Sequence, residues 1–62
     1  MQNLIRLPEV IRRTGKSRSR IYEDMARGEF PLPVKIGVRA IAWPVHDIDM
    51  WIASRIAARE AA

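Results

Sequence analysis

Cysteine is absent from the 62 residues of this chain. A disulfide therefore cannot brace the fold, and a thiolate can neither bind a metal nor attack a substrate. A fold this small without such braces relies on packed helices, on a partner or on DNA. The chain also lacks the roughly 20 consecutive apolar residues that span a bilayer, and residues 1–7 hold no run of signal-peptide type. We therefore expect a cytoplasmic protein without membrane contact.

The sequence also lacks the usual groups of an enzyme or a metal site. A single domain over residues 1–62 leaves no room for a large catalytic cleft. His46 is the only histidine, so a metal would find too few ligands. Asp47 and Asp49 are two positions apart and cannot face each other on a helix. We expect no enzymatic activity, no cofactor, no metal and no small-molecule substrate.

Positive charge is present in excess and is unevenly distributed. Eleven lysines and arginines oppose seven acidic residues, giving a net charge of +4. Residues 6–39 hold nine basic and four acidic side chains, whereas residues 40–62 hold two and three. Most of the basic residues are arginine, whose planar guanidinium can donate two parallel hydrogen bonds to a phosphate. This distribution favours a polyanion as partner, although charge alone is equally typical of a solvated surface.

Two short helices are predicted in the first half of the chain. The first spans residues 8–14, and its inward stripe has helical spacing: Leu7, Val10, Ile11 and Thr14. Gly15 permits the left-handed turn that ends it. The second spans residues 18–27, with Ser17 as its N-cap, and its inward stripe is Ile21 and Met25. The short link forces a steep crossing, which is typical of a helix-turn-helix, although a helical hairpin serving only as core is the alternative.

A hairpin and a third helix are predicted in the second half. Two prolines stiffen the connector 29–33, from which Phe30 and Leu32 are expected to pack on the core. Residues 34–43 alternate with period two around a turn at residues 37–39, which predicts a hairpin that faces the core through Val34, Ile36, Ile41 and Trp43. The last helix is predicted over residues 45–58, with residues 57–62 frayed. Its apolar face consists of Val45, Ile48, Trp51, Ile52 and Ile56.

The predicted fold is therefore mainly α with a small β-hairpin, a winged helix-turn-helix of order α-α-β-β-α. On the second helix, Ser19, Arg20, Glu23 and Arg27 point outward, and Arg18 and Tyr22 lie on the flanks. Arginine can bind the acceptor edge of guanine, and glutamate can accept from cytosine. Because phosphates repel a carboxylate, Glu23 must either read a base or pair with Arg20 or Arg27.

The hairpin adds a second basic element. Lys35 and Arg39 are predicted to contact the DNA backbone or the minor groove, although basic residues also protect exposed strands from aggregation. Trp43 and Trp51 are expected in the core rather than on a stacking platform for single strands. The full predicted DNA-contacting set is Lys16, Ser17, Arg18, Ser19, Arg20, Tyr22, Glu23, Arg27, Lys35 and Arg39.

An ordered set of motifs extends over nearly the whole chain. It comprises Leu7-Pro8-Glu9-Val10, Thr14-Gly15-Lys16-Ser17-Arg18-Ser19-Arg20-Ile21-Tyr22, Gly28-Glu29-Phe30-Pro31, Pro33-Val34-Lys35-Ile36-Gly37, Arg39-Ala40-Ile41-Ala42-Trp43 and Trp51-Ile52. The set resembles the AlpA family of phage-type regulators, which belong with the MerR-like excisionases, over residues 4 to about 56. Lys16 departs from the pattern, since an apolar residue is usual there, and residues 44–46 replace the usual polar run before the last helix.

The resemblance implies a prophage or mobile-element transcription regulator, with the helix after Ser17 as recognition helix and the hairpin around Gly37 as wing. Double-stranded DNA is the implied partner. Two alternatives remain open: an excisionase-like factor that bends DNA, and a protein-interaction module, which an exposed apolar face around Trp51 would favour. Because one small domain rarely binds tightly alone, we expect a dimer or a cooperative array on DNA.

Overall fold

The order of helices and strands follows from the capping and turn residues of the sequence. The computed structural model describes residues 3–61, so that residues 1, 2 and 62 of the predicted domain lie outside the described part. The elements are β1 (Leu4–Ile5), α1 (Leu7–Thr14), α2 (Arg18–Ala26), β2 (Val34–Lys35), β3 (Ile41–Pro44) and α3 (Val45–Ala61). Three helices with a small antiparallel sheet confirm the mainly helical fold and the winged helix-turn-helix order.

The turn between α1 and α2 is held by local hydrogen bonds. Gly15 lies at φ 74°, in the left-handed region, and its N–H donates to the carbonyl of Ile11 at 2.8 Å. Ser17 is extended, and its Oγ accepts from the Arg20 N–H at 3.2 Å, which confirms it as the N-cap of α2. The two helices are therefore separated by only three residues, each with a specific conformation.

The sheet contains a strand that the sequence prediction missed. β1 pairs with β3, which also pairs with β2, giving the antiparallel order β1-β3-β2. The Val45 N–H extends the β1 side of the sheet by donating to the Asn3 carbonyl at 2.8 Å. Two residues are too few to show an alternating pattern, and β1 forms only because the chain returns beside it from a distance of some 40 positions.

The position of β3 in the middle of the sheet explains why the predicted alternation failed. Ala42 and Trp43 are adjacent and are both fully buried, although Ala42 was predicted to face outward. β2 is an edge strand, and its predicted inward residues Val34 and Ile36 are 42% and 45% exposed. Leu32, expected in the core, is 68% exposed, so the prediction for the connector was right only for Phe30.

One core joins the three helices, the connector and the strands β1 and β3. Its buried members are Val10, Ile21, Phe30, Trp43 and Ile48. The Trp43 indole N–H donates to the carbonyl of Pro31 at 2.9 Å, so the largest core side chain also satisfies its polar atom. The half-buried Leu7, Ile11 and Thr14 complete the predicted stripe of α1.

α3 continues beyond the body of the protein. It is helical through Ala61, so the predicted fraying from residue 57 is wrong within the described part. Residues 53–61 are all exposed, and Ile56, expected on the buried face, is 46% exposed because the helix has by then passed the core. None of the helices in residues 3–61 is long and apolar enough to cross a bilayer.

Glu9 is expected to determine part of the acid sensitivity of the fold. Hydrogen bonds from Arg12 and Arg13 lower the pKa of Glu9 from 4.5 to about 2. The stability from this pairing is present above about pH 4.5 and is lost as the pH falls toward 2. Glu9→Gln should therefore lower the melting temperature at neutral pH and flatten its decline in acid, by an amount that solvent screening keeps small.

Thermal melts monitored by circular dichroism between about pH 2 and pH 7 measure this effect. Glu60→Gln is the matched control, because the Glu60 carboxylate lies 3.9 Å from its nearest cation, Arg59, on the exposed end of α3. If the melting temperatures of the two variants declined equally in acid, the assignment of this acid sensitivity to Glu9 would be contradicted.

Candidate nucleic-acid interface

The N-terminal half of α2 presents a polar surface on a well-packed base. Ile21 is fully buried and Met25 is half-buried, so the inward stripe of α2 is as predicted. On the outer side, five of the predicted contact residues are exposed: Arg18, Ser19, Arg20, Tyr22 and Glu23. Ser17 is also exposed, with its hydroxyl engaged in the cap. Because Ile21 anchors the helix, these side chains project from a backbone with a fixed orientation.

The two arginines of the first turn differ in their surroundings. The Arg18 guanidinium lies 5.9 Å from the centroid of the Tyr22 ring and makes no ion pair within residues 3–61. Arg20 donates to the Glu23 carboxylate at 3.2 Å, with both side chains 59% exposed. Glu23 thus adopts one of its two predicted roles, the pairing with Arg20, and an exposed pair of this kind is weak enough to exchange for other partners.

Lys16 and Arg27 have a different environment from the other predicted contacts. The Lys16 ammonium bonds one oxygen of Asp24, and the Arg27 guanidinium donates to the other at 2.9 Å. Asp24 is only 6% exposed, and the hydrogen bond from Lys16 lowers the pKa of its carboxyl, with a further contribution from Arg27. The carboxylate is therefore charged at neutral pH. It pairs with Lys16 before the N-terminus of α2 and with Arg27 at the C-terminal end.

Sequence reasoning missed Asp24, although two signals were available. Asp24 follows the inward Ile21 by three positions, which places both residues on the buried side of α2. Lys16 occupies a position where the resemblance implied an apolar residue. The structure accounts for this departure, because the Lys16 ammonium also lies 5.5 Å from the centroid of the Trp51 ring. An ion pair over an aromatic ring replaces the apolar contact.

The hairpin forms the second basic surface. The Ile36 N–H donates to the Ala40 carbonyl at 2.9 Å, which closes a turn over the three residues between them. Lys35 and Arg39 are exposed, and neither makes an ion pair among the described residues. Val38 at the tip is 91% exposed. The two cations are thus available for an anionic partner, and the tip carries no bulky side chain to obstruct it.

Trp51 is packed rather than free. It is half-buried, meets Phe30 edge-on with ring centroids 5.0 Å apart, and donates its indole N–H to the Glu29 carbonyl at 3.1 Å. The exposed apolar side chains of α3 are Met50 and Ile56. Trp51 and Met50 line an open groove between α2 and α3, so the protein-interaction module stays an alternative. No group of acidic or histidine side chains in residues 3–61 could hold a metal ion.

Comparison with known proteins finds one matching family and two similar proteins. The family model of the prophage CP4-57 regulatory protein (AlpA) matches residues 3–56. An uncharacterized protein of Enterobacteria phage P4, ORF88, is 42% identical over 59 residues, which cover 95% of this chain and 67% of the phage protein. The DNA-binding transcriptional activator AlpA of Escherichia coli (strain K12) is 33% identical over 58 residues, covering 84% of this chain and 83% of the relative. No solved structure matches the chain.

Proposed function

The chain belongs to the AlpA family of prophage regulatory proteins, and we propose that it is a sequence-specific DNA-binding transcription regulator of a prophage or mobile element. The observation that carries the proposal is the first turn of α2. It is capped by Ser17, anchored by the buried Ile21 and exposes arginines toward solvent. The relative from Escherichia coli, named a DNA-binding transcriptional activator, supports DNA as the partner.

In the proposed complex, the N-terminal half of α2 enters the major groove. Recognition helices contact base edges mainly through their first residues, which here are Arg18, Ser19 and Tyr22. Arg18 has no carboxylate to leave before it binds a guanine edge. Arg20 would exchange its exposed pairing with Glu23 for a base or a phosphate, and the released Glu23 would accept from a cytosine amino group.

The wing and the cap would position the helix without reading sequence. Lys35 and Arg39 would bind the backbone or enter the minor groove next to the recognition site. Ser17 and Ser19 lie beside the N-terminus of α2, where phosphate is favoured by the helix dipole. Since a single domain of this size offers few base contacts, we expect two or more copies on each site, and the complex would act in the cytoplasm.

A titration of duplex DNA tests the proposal. Duplexes from the genomic neighbourhood of the coding sequence, labelled with fluorophore, are titrated at several salt concentrations with and without scrambled competitor. We expect one duplex to retain binding in competitor, and the salt slope to report about 0.9 per neutralised phosphate. Binding that competitor abolishes on every duplex would leave only the affinity of a basic protein for a polyanion and would contradict the proposal.

A further inference from the structure

Asp24 is the only buried charged residue within residues 3–61, and it lies on the proposed recognition helix. It accepts from Lys16, on the turn before α2, and from Arg27, at the C-terminal end of the helix. Arg20, Asp24 and Arg27 share one flank of α2, since their spacings of four and three residues follow the helical repeat, and Lys16 lines the same groove from the preceding turn. One carboxylate thus pairs with two basic side chains on the same side of the helix.

The two cations differ in how far they could move. The Lys16 side chain is 21% exposed and is held between the Asp24 carboxylate and the Trp51 ring. The Arg27 side chain is 56% exposed, so it already reaches solvent, and its guanidinium also lies 3.9 Å from the Glu29 carboxylate. Both sit beside an open groove between α2 and α3 rather than within the outward surface of Arg18 and Ser19.

Cations that contact phosphates strengthen specific and non-specific binding alike. Every cation that neutralises a phosphate strengthens binding to any sequence and steepens the salt dependence by about 0.9 on a double logarithmic scale. Base contacts strengthen binding to the correct sequence alone. A cation withheld from phosphates therefore lowers the background affinity while leaving the contribution of base contacts unchanged.

On this basis we propose that Asp24 limits the sequence-independent affinity of the protein for DNA, acting through Lys16 and Arg27 by holding both cations away from the phosphates. The inference rests on the proposed function, since it concerns the same DNA interface. It also reduces the set of side chains expected to contact DNA. Two of the ten predicted from the sequence, Lys16 and Arg27, pair with Asp24 in this structure. The remaining basic contacts are Arg18, Arg20, Lys35 and Arg39.

The test compares Asp24→Asn with Asp47→Asn on scrambled duplex and on the duplex retained in competitor. Both variants lose one negative charge beside the same groove, but Asp47 makes no ion pair within residues 3–61. We expect Asp24→Asn to steepen the salt slope on scrambled DNA by about 0.9 for each freed cation. Its affinity should rise by a similar factor on both duplexes, so that its preference for the specific duplex is unchanged. Equal slopes for the two variants would overturn the inference.

Two further variants test the role of Asp24 even if Asp24→Asn fails to fold. Melting curves would detect such a failure. Lys16→Met restores an apolar side chain over Trp51, and Arg27→Gln removes the other cation. Because the proposal has Asp24 hold both cations away from the phosphates, the loss of either cation should leave the salt slope of the wild type unchanged. A slope shallower by about 0.9 in either would show that the cation contacts phosphate and would overturn the inference.

The failure of the inference can be distinguished from the failure of the proposed function. The slope on scrambled DNA is measured for every variant, whether or not a specific site exists. Absence of a competitor-resistant duplex for the wild type counts against the proposed function. Identical salt slopes of Asp24→Asn and Asp47→Asn count against the role of Asp24 alone.

Discussion

Trp43→Ala is expected to weaken or abolish cooperative folding of the isolated protein. Trp43 is the largest fully buried side chain, sits in the central strand β3 and donates a hydrogen bond to the Pro31 carbonyl. Truncating a buried tryptophan costs about 3–5 kcal/mol. A domain of this length has a total stability of roughly 3–9 kcal/mol, so the variant would lose from about a third to all of it. Far-ultraviolet circular dichroism during heating measures the loss as a missing or strongly lowered transition.

Two control variants separate the causes of this effect. Val38→Ala removes apolar atoms from a side chain that is 91% exposed and should change stability by less than about 0.5 kcal/mol. Trp43→Phe keeps most of the buried surface and loses the hydrogen bond, so it should melt between the wild type and Trp43→Ala. A Trp43→Ala protein that melts within a few degrees of the wild type would contradict the central position of this residue in the core.

Arg18→Ala and Arg20→Ala should each weaken binding to the specific duplex by about 1–3 kcal/mol, or roughly 5-fold to 150-fold. Both residues lie in the exposed first turn of α2, and neither is buried in the core. Fluorescence anisotropy titrations give the dissociation constants. If the arginines read bases, the loss on the specific duplex should exceed the loss on scrambled DNA, since a phosphate contact would weaken both equally.

Arg59→Ala is the matched control for charge. Arg59 is 78% exposed on the end of α3 that projects beyond the core, and its removal changes the net charge by the same amount. We expect this variant to bind within about twofold of the wild type, once the general effect of net charge is taken into account. If Arg18→Ala were as mild as Arg59→Ala, α2 would not be the recognition helix.

The local structure of α1 and α2 could be predicted because its causes are local. Gly15 and Ser17 act on the backbone within three or four residues, and the spacing of Val10 and Ile21 marks the buried sides of their helices. The exposure of Arg18 follows from the same spacing. These features depend on helical geometry and capping, which a single segment already contains.

The pairing of distant segments could not be predicted in the same way. β1 exists because residues 43 and 44 return beside it, and Ala42 lies in a strand that both α1 and α3 contact. The apolar pattern of their own segments predicts Leu32 and Ile56 in the core. Both are exposed, because the connector and the end of α3 run outside the core. Burial of an apolar residue depends on what lies opposite it, which the pattern within a segment does not contain.

The amino-acid sequence alone therefore established the basic charge, the two capped helices, the hairpin and the outward arginines of α2, because each depends on composition or on neighbours along the chain. Only the tertiary structure decided which of the basic side chains pair with a carboxylate inside the protein. Lys16 and Arg27 are engaged by Asp24, which is buried because α2 packs against the body of the protein. A charge is neutralised by the groups nearest to it in space, and folding brings those groups together.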